Sequence, residues 1–158
     1  MAPIQEELKQ NRPFRTRSEE AAVALMRTAD LVRRTVGAVV EPVGITPQQY
    51  NVLRILRGAG EAGLPTLEIA ERMIEQTPGI TRLIDRLEAK GLVRRERCLT
   101  DRRQVFCRIS GEGLSLLERL DEPIREADAA ALRSLGDHDL ERLIELLDKT
   151  RRAYRRIQ

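Results

Sequence analysis

A mainly α-helical chain with one small β-hairpin is the fold class this sequence predicts, and three patterns predict it. Apolar residues recur at three- and four-residue steps through most of the 158 residues, the period of a helix with one buried face. Threonine followed by proline heads two such stretches, at Thr46-Pro47 and Thr77-Pro78. There a threonine can cap the helix and a proline suits its first turn. The alternation of a strand is strong once only, at Val105, Cys107 and Ile109, with Gln104, Phe106 and Arg108 between them.

In chain order, residues 1–17 are polar and read as an arm or a frayed end. A helix follows over about 18–40, with Leu25, Ala29, Val32, Val36 and Val39 on one stripe, and Pro42 and Gly44 end it. Thr46, Pro47 and Gln49 form a capping-box signal. The helix they open continues through Tyr50, Leu53 and Leu56, and Gly58, Gly60 and Gly63 make a loop. Thr66 is placed as the cap of a short helix over about 67–72, with Ile69, Ala70 and Met73 inward. After Thr77-Pro78, the residues Ile80, Leu83, Ile84 and Leu87 share one face of the next helix. Pro78, Arg82, Asp85, Arg86 and Ala89 fall opposite, and Gly91 is a stop. Residues 92–96 can pair with the strand, leaving 98–103 as the hairpin tip. Leu114, Leu117, Leu120, Ile124, Ala127 and Ala131 form a long helical stripe in which Pro123 should introduce a kink. Gly136-Asp137 breaks it, and Leu140, Leu143, Ile144 and Leu147 start a last helix reaching about Tyr154.

Composition narrows the function. No apolar run is long enough to span a membrane. The first residues lack a basic segment followed by an apolar one, and the two cysteines offer no disulfide framework, so a cytoplasmic protein is expected. His138 is the one histidine, placed on the surface in the first turn of the last helix. With Cys98 and Cys107 it makes three potential ligands, one short of a structural zinc site. No metal, no cofactor and no enzymatic activity are expected, because the chain has no phosphate-binding glycine loop and no nucleophile motif. Phe14, Tyr50, Phe106 and Tyr154 are too few for a platform that stacks single-stranded bases.

The charge distribution says more than its total. The whole chain carries a net +3, yet residues 82–108 hold nine basic side chains against four acidic ones. Alone, Arg82 and Arg86 read as a solvated helix face. Followed by a hairpin bearing Arg94, Arg95, Arg97, Arg102 and Arg103, they read as contacts to phosphate and bases. Two short helices joined by a tight turn and then a basic hairpin describe a winged helix-turn-helix. Its second helix fits the major groove, and an arginine at the wing tip can reach the minor groove.

The stretch Thr77-Pro78-Gly79-Ile80-Thr81-Arg82-Leu83-Ile84-Asp85-Arg86-Leu87-Glu88-Ala89-Lys90-Gly91-Leu92-Val93, followed by Asp101-Arg102-Arg103 and Ile109-Ser110-Gly111-Glu112-Gly113, resembles the multiple antibiotic resistance regulator (MarR) family of transcription factors. Ile45-Thr46-Pro47-Gln48-Gln49-Tyr50 resembles the start of an earlier family helix, and residues 135–147 its closing helix. The resemblance covers about 20–150. Ser110 stands where threonine is commoner, and Gly136 where a capping Ser or Thr is usual.

The resemblance implies one domain over 1–158. A winged-helix head occupies about 45–110, and helices over about 18–41 and 111–156 form the dimerisation region. It implies a homodimer, usually a repressor, binding double-stranded DNA at a pseudo-palindrome. Gln76, Thr77, Pro78, Gly79, Thr81, Arg82, Arg86, Arg95, Arg97, Asp101, Arg102 and Arg103 are the DNA-contact candidates, with Asp101 orienting Arg103 into the minor groove. A small anionic or aromatic ligand would bind between the helices and the heads, with Met26 and Tyr50 as candidate contacts, although each also reads as core. Cys98 lies among arginines that favour its thiolate, which makes it the candidate redox residue. Cys107 points inward as a small core side chain. The alternative function is a winged helix that binds protein and oligomerises through its helical arm. The basic helix and basic wing favour DNA.

Overall fold

The computed structural model describes residues 3–76, 78–97 and 105–154. The first of them fold into a short helix, α1 (Ile4–Glu7), where the sequence suggested only an arm. Arg27 pairs with Glu7 at 2.9 Å and holds α1 against α2 (Arg17–Val40). Thr16 caps α2, its hydroxyl accepting from the Glu19 amide at 3.1 Å. A 3₁₀ turn at Glu41–Val43 and a left-handed Gly44 then redirect the chain.

The helix α3 (Pro47–Ala59) opens with the capping box the sequence shows. The Gln49 amide donates to Thr46 Oγ1 at 3.2 Å, and the Thr46 amide donates to Gln49 Oε1 at 3.1 Å. Gly58 lies inside this helix and not in the loop, which is a 3₁₀ turn at Gly60–Ala62.

Next comes a strand the sequence did not announce. β1 (Leu64–Pro65) pairs antiparallel with β3 (Val105–Ile109), Leu64 opposite Cys107 and Pro65 opposite Phe106. This pairing displaces the predicted cap. α4 (Thr66–Arg72) begins at Thr66 itself, flanked by extended Pro65 and with no side-chain cap. The Thr66 hydroxyl lies 3.9 Å from Cys107 Sγ instead.

α5 (Ile80–Ala89) follows, then β2 (Val93–Arg97). β2 pairs antiparallel with β3 in the register Val93 to Ile109 through Arg97 to Val105, giving a three-stranded sheet of order β1-β3-β2. At the end of α5 the Gly91 amide donates to Glu88 O at 2.8 Å and the Leu92 amide to Leu87 O at 3.0 Å. These two bonds close the helix in a Schellman turn.

α6 (Gly111–Leu132) runs through Pro123 as a single helix, and α7 (Asp137–Tyr154) follows. The start of α6 is fixed to the exit of α5. Ser110 Oγ donates to Gly91 O at 2.6 Å and accepts from the Gly113 amide at 3.0 Å. A Cβ at Gly113 would sit 2.4 Å from Leu92 O, so no larger residue fits this approach.

One core joins these elements. Val52, Leu53 and Leu56 of α3 lie at its centre, with Ile69, the α5 stripe of Leu83, Ile84 and Leu87, then Val93 and Cys107 around them. Val40 and the α6 residues Leu116, Leu117, Leu120 and Ile124 close it. The buried α6 residue is Leu116, while Leu114 is 38% exposed. Beyond Ile124 no residue of α6 is buried, Ala127 and Ala131 included, and α7 buries none. The molecule is thus a packed head with an arm that has little apolar cover of its own. Among the described residues no helix is long and apolar enough to cross a membrane.

Candidate nucleic-acid interface

Burial of Leu83, Ile84 and Leu87 fixes the roll of α5. With that face inward, Thr81, Arg82, Asp85, Arg86 and Ala89 are all exposed, as are Gln76, Pro78 and Gly79 ahead of the helix. The helix starts at Ile80, two residues after Pro78, and Gly79 precedes it at φ 105°. That angle suits glycine and strains any residue with a side chain. The threonine–proline signal therefore marked the helix two residues early. The turn between α4 and α5 is held by a residue with no sequence signature, Asn51, whose Oδ1 accepts from the Ile74 amide at 2.9 Å. Glu75 in the same turn accepts from Gln48 at 3.3 Å and lies 3.7 Å from Arg33 of α2.

The arginines of this surface divide by partner. Arg95 is taken up inside the head. Its Nη2 donates to Asp85 Oδ1 at 2.5 Å, its Nη1 lies 3.3 Å from Glu88 Oε2, and its backbone amide donates to Glu88 Oε1 at 3.1 Å. The hydrogen bond to Asp85 is the main reason its guanidinium is held above its ordinary pKa. This fixes β2 against α5 and neutralises two carboxylates that would otherwise face an anionic ligand. Among the described residues, Arg82 and Arg86 make no ion pair, and Arg97 is exposed on β2. Arg108 on β3 pairs with Glu96 at 3.1 Å. Thr77, Cys98, Asp101, Arg102 and Arg103 lie outside the described residues.

The other candidates differ in burial. Tyr50 is buried in the core at 6% exposure, whereas Met26 is 65% exposed on α2. Burial pushes the Tyr50 phenol up, opposed by Arg54, whose guanidinium stands 5.9 Å from the ring centre. Cys107 is fully buried, as its place in the strand alternation implied. A cleft of about 470 Å³ lies between the start of α3 and the end of α5, lined by Thr46, Gln49, Arg86 and Lys90 among others. Lys90 donates there to Gly44 O.

An exposed helix bearing arginines on its outer face, backed by a three-stranded sheet, is a winged-helix arrangement. Residues 45–105 match the MarR family. A MarR transcription factor from Planctomyces limnophilus is 38% identical, with 86% of this chain and 98% of that one aligned and a TM-score of 0.66. The chain belongs to the MarR family. The HTH-type transcriptional regulator FarR of Neisseria gonorrhoeae is 26% identical over 135 residues, 85% of this chain and 91% of that protein. The fold is shared with a MarR family transcriptional regulator of Streptomyces coelicolor solved in complex with DNA, at 23% identity and a TM-score of 0.76 over 91% of this chain and 92% of that one. In MarR-family terms α4 and α5 are the helix-turn-helix, α5 its second helix, and β2 and β3 the wing.

Proposed function

We propose that this MarR-family chain is a sequence-specific regulator of transcription that binds double-stranded DNA as a homodimer, with α5 in the major groove. Arg82 and Arg86, exposed on the outer face of α5 and without an ion pair among the described residues, carry this reading. The ten-residue helix α5, like any α-helix about 10–12 Å across with its side chains, fits a groove about 12 Å wide. Its solvent face then meets base edges, and arginine is suited to the paired acceptors of guanine. Arg97, and Arg102 and Arg103 by resemblance, would continue the contact along the wing, with Asp101 orienting Arg103. Arg95 supports the interface from behind.

The homodimer is supported by apolar surface that one chain leaves open. Leu25, Met26, Leu31 and Val32 on α2 and Ile144 and Leu146 on α7 are exposed. A second copy covering them would set two heads side by side, each over one half of an inverted repeat. Repression by occupancy of a promoter fits this geometry. A small anionic or aromatic effector would release the DNA only by binding two head spacings with unequal affinity. Enrichment of duplexes from a random pool by the purified protein tests the proposal. An inverted repeat with half-sites about 10 base pairs apart, centre to centre, is the expected product. A pool that emerges without any shared sequence would overturn it.

A further inference from the structure

α6 leaves the head through a polar latch that the DNA-reading surface does not use. Arg57, in the last turn of α3, donates from Nη1 to Asp121 Oδ2 at 2.8 Å and from Nη2 to Oδ1 at 3.0 Å. Among the described residues this is the only ion pair joining α6 to another element. Its position matters. The first turn of α6 is anchored at Ser110 and Gly113, Ile124 is the last fully buried residue of the helix, and Asp121 lies one turn before it. Two residues further on, Pro123 has no N–H to offer the Arg119 carbonyl, so the helix is at its least stiff where the latch stops.

The apolar contacts of α6 with α2 and α3 are non-directional. A guanidinium facing a carboxylate through two parallel hydrogen bonds is directional. Eleven residues separate Asp121 from the helix end at Leu132, about 16 Å, so a tilt of about 10° at Asp121 moves that end by about 3 Å. One base-pair step is about 3.4 Å. A small change at the latch therefore moves the arm against the head by about the length of one base-pair step.

We propose that Arg57 and Asp121 are positioning residues that fix the angle between the winged head and the helical arm, and so set the half-site spacing that the dimer accepts. This rests on the DNA-binding homodimer reading. It goes further by naming two residues that lie outside the proposed DNA-reading surface of α5 and β2.

The test uses the enriched duplex and versions of it with one or two base pairs inserted or removed between half-sites. Affinity is measured for the full-length wild type, for Asp121→Asn, and for the exchanged pair Arg57→Asp with Asp121→Arg. Both groups are partly exposed, so these variants are expected to fold, which circular dichroism checks. For the wild type, one inserted base pair should cost about tenfold or more, because only one head can then engage. For Asp121→Asn the same insertion should cost no more than about threefold, with affinity for an isolated half-site unchanged. The exchanged pair should restore the steep profile. An equally steep profile in Asp121→Asn, or failure of the folded exchanged pair to restore it, would overturn the latch and leave DNA binding standing. A wild type that enriches no duplex, or sediments as a monomer, would overturn the underlying reading and the latch with it.

Discussion

Arg82, Arg86 and Arg95 share a residue type and a neighbourhood, and their partners separate them. Arg82 has none among the described residues, so Arg82→Ala should weaken binding to the enriched duplex by about 1–3 kcal/mol if it reads a base. It should cost much less on random duplex. Equal losses on both would reassign Arg82 to phosphate. Arg95 is bonded to Asp85 and Glu88. Arg95→Ala should therefore weaken both duplexes alike, by about tenfold or more, since two unpaired carboxylates would repel phosphate and β2 would lose its hold on α5. A loss confined to the enriched duplex would make Arg95 a direct reader instead. Asp121 gives a pH-dependent signature. Its hydrogen bond to Arg57 holds its carboxyl below the ordinary carboxylate value. A depressed value means that the pair's stabilisation is present above the unfolded-state pKa and is lost as pH falls through the folded one. The pair is half exposed, so at most about 1 kcal/mol is involved. Urea midpoints of wild type and Asp121→Asn should differ near neutrality and converge below about pH 4. A gap that persists in acid would mean that the carboxylate charge is not its source. The exposed arginines of α5 were legible in the sequence because the roll of a helix follows from its apolar residues. The partners of Arg95 were not. Asp85 sits on the same outer face as Arg82, and only the hairpin's return over α5 brings the arginine to it.

At the scale of elements, α3 and α5 are the frame of the interface. Leu87 is fully buried under α5, so Leu87→Ala should destabilise the head by about 2–5 kcal/mol, seen as a lowered urea midpoint with the slope unchanged. A change under about 0.5 kcal/mol would mean that α5 is not held by this stripe. Both helices were readable from period and caps, the Thr46–Gln49 box down to its two hydrogen bonds. What escaped has physical reasons. β1 is two residues long, too short to show alternation, and exists because β3 offers it an edge. Thr66 follows an extended proline already committed to that edge, so its hydroxyl turned to Cys107 and not to a helix amide. On α6 the stripe from Leu117 to Ile124 was correct, but Leu116 and not Leu114 joins it. The close approach of Gly113 to Leu92 sets the helix roll there, and periodicity does not report a tertiary contact.

For the whole molecule, the arm needs a partner and the head needs an anion. The open apolar faces of α2 and α7 predict a dimer in solution at micromolar concentration, and sedimentation as a stable monomer would contradict this. Binding to duplex should weaken steeply with salt, because each phosphate neutralised by arginine releases counterions. The most direct measurement of the central claim is competition between the enriched duplex and a random one of equal length at physiological salt, for wild type and Arg82→Ala side by side. Wild type should prefer the enriched duplex by about a thousandfold or more, and Arg82→Ala should narrow that ratio by about tenfold or more. Equal affinity of the wild type for both duplexes, or an unchanged ratio in the variant, would contradict the reading of DNA sequence by α5.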